Sequence, residues 1–242
     1  MEKQAMWIAV AAFASVLAAF MTHWLTIAAI GSAEKRLPYC RGAYLGMSLQ
    51  LAVLAWTLAA LSDGASGAAI LVPLGMTASS LGDLFNLQFP SIQKRVGQPL
   101  FFGILCFAVA QVFYIAAFLS RLSLSVLVSD GFFVPILAVL VVVPAVLFRF
   151  RVYNPERPAS IMRAAFFYGF ILGAMAAVAV SAAIAVGGPW YVVAAGALSF
   201  LLSDAIMGET TMHGRHPTNE YQVPWITYLL AQGLIIIGTA LA

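Results

Sequence analysis

Charged residues are scarce in this chain, and their scarcity excludes an ordinary soluble domain. Only 9% of the 242 residues are Asp, Glu, Lys or Arg, whereas 63% are hydrophobic. Soluble domains contain about 25% charged residues. Cysteine is also rare: Cys40 falls in a predicted loop and Cys106 in a predicted membrane segment, so we expect no disulfide. The composition therefore predicts an integral membrane protein.

The sequence also lacks the common motifs of nucleotide and ester chemistry. It has no P-loop, no glycine-rich dinucleotide fingerprint and no G-x-S-x-G nucleophile elbow. Nothing in it favours nucleic-acid binding. Any chemistry is therefore expected from isolated polar residues inside the apolar segments.

Long apolar runs make up most of the chain, and eight of them reach the roughly 20 residues that a membrane-spanning helix needs. They are continuous rather than alternating, which favours helices over the strands of a barrel. The connections are short, so we predict one all-α, polytopic transmembrane domain over residues 1–242. The predicted helices cover about 6–30, 43–61, 67–89, 98–119, 130–148, 161–186, 190–207 and 222–241.

Basic residues are divided unevenly between the two sides of this predicted bundle. Of the twelve Lys and Arg residues, only Lys3 and Arg121 fall on the side of the N terminus. An excess of Lys and Arg marks the cytoplasmic loops of membrane proteins. We therefore expect both termini outside the cytoplasm and the basic loops inside it, in a bacterial inner membrane.

Polar residues recur at a spacing of half the chain length. Asp83 and Asp204 are 121 residues apart, and so are Gln111 and Gln232. The third and fourth predicted helices thus match the seventh and eighth without a gap. Four helices per half would give both halves the same orientation, so the spacing predicts a 4+4 parallel repeat.

Two carboxylates lie inside the apolar runs, Asp83 in the third predicted helix and Asp204 in the seventh. An ionisable side chain in a membrane helix costs about 2.5–3.5 kcal/mol on insertion scales, so each needs a structural or functional reason. Both are predicted at one depth, roughly 7–11 Å inside the cytoplasmic boundary. Two carboxyls in one apolar pocket favour different protonation states, which suits acid–base hydrolysis without a metal. The alternative is that both aspartates only hydrogen-bond neighbouring helices.

Other polar side chains share helix faces with these aspartates. Helical spacing places Asn86 beside Asp83 and aligns Tyr228 with Gln232. Polar groups in hydrocarbon need partners, so these faces should converge on a cavity that opens toward the cytoplasmic leaflet. The predicted substrate-binding residues are Gln111, Tyr114, Asn86, Ser203, Tyr228 and Gln232, with helix packing as the alternative role, above all for the two glutamines.

A metal site is not expected. His213 and His216 lie near Glu209, but their loop offers no fourth ligand. His23 is predicted near the depth of the aspartates, where a packing role is favoured over participation in the site. We therefore predict no metal and no cofactor.

Several short motifs match those of a known family. They are Ser-Leu-Gly-Asp at 80–83, Phe-Gly at 102–103, Ala-Gln-Val-Phe-Tyr at 110–114, Tyr168 with Met175, Gly-Ala-Leu-Ser-Phe-Leu-Leu-Ser-Asp at 196–204 and Gln-Gly-Leu-Ile at 232–235. In these motifs the chain resembles the YhhN family of membrane proteins, which includes the lysoplasmalogenases. The resemblance spans roughly residues 67–241 and departs at Gln111, where the family more often has His.

The resemblance implies hydrolysis of the vinyl-ether bond of a lysoplasmalogen to a fatty aldehyde and glycerophosphoethanolamine or glycerophosphocholine. Asp83 and Asp204 would supply the acid and the base, in an order that stays open. Arg95, Arg163 or Arg215 could meet the phosphate, although charges that only set the topology are the simpler interpretation. The implied partners are a lysophospholipid and the bilayer; no nucleic acid and no protein partner is implied.

Two other functions fit the same residues. A proton-coupled transporter or lipid-handling protein would use the same Asp pair, and a parallel repeat is known in transporters. A zinc-dependent lipid amidase would need several intramembrane histidines, and His23 is the only one in a predicted span. Aldehyde release favours the hydrolase, accumulation of substrate without chemistry favours the transporter, and inhibition by a chelator favours the amidase.

Overall fold

The computed structural model of this chain describes residues 3–30, 33–62, 67–129, 131–213 and 222–242. These residues form ten α-helices and a short π-helical turn, with no strand among them, so the prediction of an all-α fold is confirmed. The helices are α1 (Lys3–Ala29), α2 (Ala33–Ala60), α3 (Gly67–Asn86), α4 (Pro90–Gln93), α5 (Pro99–Arg121), α6 (Leu124–Ser129), α7 (Phe133–Leu147), α8 (Ala159–Val186), α9 (Trp190–Met212) and α10 (Gln222–Leu241), and the π-helical turn Phe148–Val152 follows α7.

Seven helices in the described part of the chain are long and apolar enough to cross a membrane. They are α1, α2, α5, α7 with its π-helical turn, α8, α9 and α10, which identifies an integral membrane protein. The helix α3 matches the remaining predicted span but is not one of the seven. Its second half contains Thr77, Ser79, Ser80 and Asp83, which lower its mean hydropathy. The count of eight spans therefore stays a prediction.

Two helices extend beyond the apolar runs that predict them. The helix α2 begins at Ala33 rather than at residue 43, so Cys40 and Arg41 lie on a helix and the prediction of a loop there is wrong. Likewise, α9 continues to Met212 and includes Glu209. At a rise of 1.5 Å per residue, the 28 residues of α2 reach beyond a hydrocarbon core of about 30 Å. Hydropathy detects only the part of the helix inside that core.

The long helices run in alternating directions. This follows from one cavity, which is lined by the C-terminal ends of some helices and the N-terminal ends of others. Residues near the ends of α3 and α9 line it together with residues near the beginnings of α2, α5 and α10. The connections that follow α3 and α7 contain Lys94, Arg95 and Arg157, and they lie at the same end of the bundle. The cavity therefore lies at the basic end.

Glycines permit close approach in the two helix pairs that share the most contact, α3 with α5 and α9 with α10. A Cβ atom added at Gly75 would lie 2.6 Å from the ring of Tyr114. A Cβ atom added at Gly196 would lie 2.8 Å from the carbonyl oxygen of Ala231 and 2.9 Å from the backbone nitrogen of Ile235. Only a residue without a side chain allows the backbones this close an approach.

We expect the Gly196→Ala variant to lose about 1–3 kcal/mol of stability, because the added methyl group meets backbone atoms that cannot rotate away. The matched control is Gly46→Ala on α2, where an added Cβ has nothing within 4 Å. That control should leave stability unchanged or raise it by about 0.5–1 kcal/mol. Thermal unfolding in one detergent measures both variants. Equal unfolding temperatures would show that α9 and α10 can separate at no cost.

Candidate active site

The basic end of the bundle contains a cavity of about 420 Å³, and both predicted aspartates line it. Of the other predicted site residues, Asn86, Ser203 and Tyr228 also line it. Its remaining wall is mostly apolar, and its volume falls within the range of small-molecule sites. A cavity of this kind holds an apolar ligand and presents a few polar groups to one part of it.

Asp83 is held by two hydroxyl groups from two other helices. Its carboxyl oxygen Oδ2 accepts hydrogen bonds from Ser48 Oγ at 2.6 Å and from Tyr228 OH at 2.7 Å. Ser48 Oγ also lies 2.9 Å from Ser80 Oγ, which sits one turn before Asp83 on α3. The Asp83 side chain is only 3% exposed. Donors on α2 and α10 thus fix this carboxyl in the cavity wall.

Asp204 has a more open environment than Asp83. Its Oδ2 accepts a hydrogen bond from the hydroxyl of Tyr168 on α8. The residue is only partly buried, and the surface it exposes faces the cavity. The neighbouring Ser203 Oγ donates to the carbonyl oxygen of Pro224 at 2.8 Å, which ties α9 to α10. The two carboxyls therefore differ in how many donors hold them and in how far they open to the cavity.

A second group of polar residues lies behind the cavity wall. Tyr114 OH donates to Gln232 Oε1 at 2.6 Å, and both residues are fully buried. Gln111 is fully buried as well. None of these three residues lines the cavity. The structure therefore brings Asn86, Ser203 and Tyr228 together with the aspartates, but it places Gln111, Tyr114 and Gln232 one layer away from them.

One face of α2 supplies site residues that the sequence did not single out. Arg41 and Tyr44 line the cavity, and Ser48 bonds Asp83. The ring of Tyr44 stacks on Trp225 with centroids 4.4 Å apart. The spacing of three and four residues places all three on one helix face. This periodicity is readable only when α2 is known to begin before Arg41.

The predicted histidine positions lie apart from the carboxyls. His23 is 2% exposed and packs against the rings of Tyr39 and Tyr44 at 5.1 and 4.8 Å. His213 Nε2 lies 2.9 Å from the carbonyl oxygen of Arg151, and Glu209 forms an ion pair with Arg151 at 3.0 Å. Among the described residues there is no group of three or more His, Cys, Asp or Glu that could hold a metal ion. The predicted position His216 lies outside the described residues.

Comparison with known proteins identifies one family. The model of the YhhN family matches residues 43–239, which is most of the chain. This range includes both aspartates and every residue that bonds them. No curated protein and no solved structure matches the chain.

Proposed function

Because the chain belongs to the YhhN family, we propose that it is an integral-membrane hydrolase that cleaves the vinyl-ether bond of lysoplasmalogens. The observation that carries this proposal is the pair Asp83 and Asp204 on the wall of one largely apolar cavity. A substrate with one long chain and one acid-labile bond suits such a cavity. The products would be a fatty aldehyde and glycerophosphoethanolamine or glycerophosphocholine.

The apolar wall fits a single hydrocarbon chain. Side chains from α5, α7 and α8 form it, and burying an alkenyl chain there gains about 0.8 kcal/mol per methylene group. A substrate held by its chain would bring the polar vinyl-ether end toward the two carboxyls. The apolar residues of this wall include Leu100, Ile104, Pro144, Leu147, Phe148 and Leu172.

The proposed reaction needs one proton donor and one anion. A carboxylic acid protonates the β carbon of the vinyl ether, and the α carbon becomes an oxocarbenium ion, which the other carboxylate stabilises. Water adds to that carbon and gives up a proton to a carboxylate. The hemiacetal then collapses, the C–O bond to glycerol breaks, and the aldehyde and the glycerol hydroxyl are released. No net proton is consumed.

The environments of the two carboxyls favour one assignment of these roles. Asp83 accepts hydrogen bonds from two hydroxyls, which is how a protein solvates an anion. Asp204 accepts one from Tyr168 and faces the cavity, where it could reach the substrate carbon. We therefore assign Asp204 as the acid and Asp83 as the stabilising carboxylate.

We also propose that the pair arises from the 4+4 parallel repeat. The contact of Gly75 with Tyr114 has a counterpart 121 residues later in the contact of Gly196 with Ile235. The helix pairs that share most contact, α3 with α5 and α9 with α10, are also the pairs that the spacing matches. On this proposal α3 is the eighth span, and the cavity opens toward the cytoplasmic leaflet, since it lies at the basic end.

The spacing of 121 residues between Asp83 and Asp204 is also the observation that favours a second candidate. A proton-coupled transporter could place one carboxyl in each half of a parallel repeat, near a central site. In that case the Asp pair would carry protons and no bond of the lipid would break. The two candidates differ in whether an aldehyde appears.

We expect the purified protein in detergent to release fatty aldehyde from lysoplasmenylethanolamine, because the vinyl ether needs only an acid and water. The control lipid is the saturated 1-O-alkyl analogue, which has the same head group and chain but no double bond to protonate. Aldehyde should appear from the first lipid alone, measured by a coupled alcohol dehydrogenase. Absence of aldehyde from any vinyl-ether lysolipid would sink the hydrolase and bring the transporter forward.

A further inference from the structure

One wall of the cavity carries a basic side chain that the proposed reaction does not use. Among the described residues that line the cavity, Arg41 on α2 is the only Lys or Arg. We infer that Arg41 binds the phosphate of the lysophospholipid and so sets the preference of the site for phosphorylated lipids. The identity of the lipid rests on the proposed function, whereas phosphate binding can be measured without it.

One edge of the Arg41 guanidinium is already fixed. Its Nε donates to the carbonyl oxygen of Leu87 at 2.8 Å, just beyond the end of α3. Carbonyl groups at the end of a helix lack partners in the helix, so a nearby arginine can satisfy one of them. The bond anchors the guanidinium at Nε, and the residue lines the cavity.

The terminal amino groups of Arg41 are available to a ligand. Over the described residues, Arg41 forms no ion pair, and its only hydrogen bond is the one from Nε. A guanidinium carries five N–H donors in a planar fork that matches the oxygens of a phosphate. The residue is partly exposed on the cavity side of α2. Among the described residues, the terminal amino groups of Arg41 therefore have no protein acceptor.

The position of Arg41 along α2 suits the length of the substrate. Arg41 lies two helical turns from Ser48, which bonds Asp83, and this is a rise of roughly 10 Å. In a lysoplasmalogen, phosphorus is separated from the vinyl-ether carbon by the glycerol backbone, a span of roughly 7 Å at ordinary bond lengths. The reach of an arginine side chain covers the difference. Phosphate at Arg41 would therefore leave the vinyl ether at the carboxyls.

The other arginines whose side chains the structure describes at this end do not line the cavity. Arg151 pairs with Glu209, and Arg157 donates to the carbonyl oxygens of Thr211 and Met212 at the end of α9. Of the predicted phosphate contacts, Arg95 and Arg163 do not line the cavity, and Arg215 lies outside the described residues. Arg163 instead donates to the carbonyl oxygen of Ala159 on its own helix.

The test compares binding of two lipids that cannot be hydrolysed, a 1-O-alkyl-glycerophosphoethanolamine and the corresponding 1-O-alkylglycerol without phosphate. Both are titrated by calorimetry into the full-length protein in one detergent. We expect Arg41→Gln to weaken binding of the phosphorylated lipid about ten- to hundredfold and to leave binding of the alkylglycerol unchanged. Arg163→Gln is the matched control and should change neither affinity.

Two further arms keep the result interpretable. Arg41→Lys retains the charge without the planar fork of donors, so it should weaken binding of the phosphorylated lipid less than Arg41→Gln does. It also serves as the test variant if Arg41→Gln does not fold. Inorganic phosphate and glycerophosphoethanolamine, added at the concentration of the lipid, should not displace it. Displacement by inorganic phosphate with equal affinity would overturn the lipid assignment.

The inference fails if Arg41→Gln and Arg41→Lys bind the phosphorylated lipid as tightly as the wild type. It also fails if they weaken the binding of both lipids equally. Aldehyde release is measured separately on the same preparations. If the Arg41 variants lose affinity for the phosphorylated lipid alone and the wild type releases no aldehyde, the hydrolase is refuted but the phosphate site is retained. Aldehyde release with unchanged binding in the Arg41 variants would refute the phosphate site alone.

Discussion

We expect the Asp204→Asn variant to release aldehyde from lysoplasmenylethanolamine about a hundred- to ten-thousandfold more slowly than the wild type, the range that general acid catalysis supplies. The asparagine oxygen can still accept the hydrogen bond that Tyr168 donates to Asp204. The substitution therefore retains the contact between α8 and α9 and removes only the proton. Initial rates at saturating substrate measure the loss.

Two comparisons separate this loss from a general defect. Glu156→Gln makes the same chemical change at an exposed carboxylate in the connection before α8, so its rate should equal that of the wild type. The unfolding temperature of Asp204→Asn should stay close to that of the wild type, because its hydrogen bond survives. Full activity in Asp204→Asn would reduce Asp204 to a residue that joins helices.

Part of this site is readable from the sequence because helix periodicity and depth are local properties. The positions of Asp83 and Asp204 within apolar runs predict their depth, and the structure places both on one cavity. Asn86 lies three residues after Asp83, and helical spacing predicts its place on the same face. These inferences need only the rise and the twist of a helix.

The remaining features depend on how helices pack, which the spacing of residues within one helix does not determine. The bond from Ser48 to Asp83 joins residues on α2 and α3, and a serine in an apolar run gives no signal of its own. The sequence predicts a loop at Arg41 because the apolar run begins after it, whereas α2 begins at Ala33. Gln111 has the same polarity as a site residue, yet it is buried behind the wall.

The cavity wall shows why polar residues in a membrane helix divide into two kinds. Tyr114 OH donates to Gln232 Oε1, and such a bond holds helices together without an opening to the cavity. Asp204 is bonded by Tyr168 but also faces the cavity, so it retains capacity for a ligand. Access to the cavity, and not polarity alone, distinguishes candidate chemistry from helix association.

We expect Asp83→Asn to lower the turnover number for lysoplasmenylethanolamine about a hundred- to thousandfold with little change in KM, because the negative charge acts on the oxocarbenium ion and not on the neutral substrate. Ser48→Ala removes one of the two hydroxyl donors to Asp83 and leaves Tyr228 in place. Its loss should be smaller, about tenfold, which corresponds to the lower end of the about 1.5–3 kcal/mol that a hydrogen bond to a charged group contributes.

The order of these two effects separates electrostatic catalysis from packing. If Asp83 acts through its charge, Asp83→Asn loses more activity than Ser48→Ala does. Its unfolding temperature then stays close to that of the wild type although its rate falls. If Asp83 only joins α2, α3 and α10, activity falls in step with the unfolding temperature, and Ser48→Ala is at least as damaging, because it removes a bond that the asparagine oxygen retains. The second outcome would leave Asp204 as the only carboxyl with a catalytic role, and the cation would then need another stabilising group on the cavity wall.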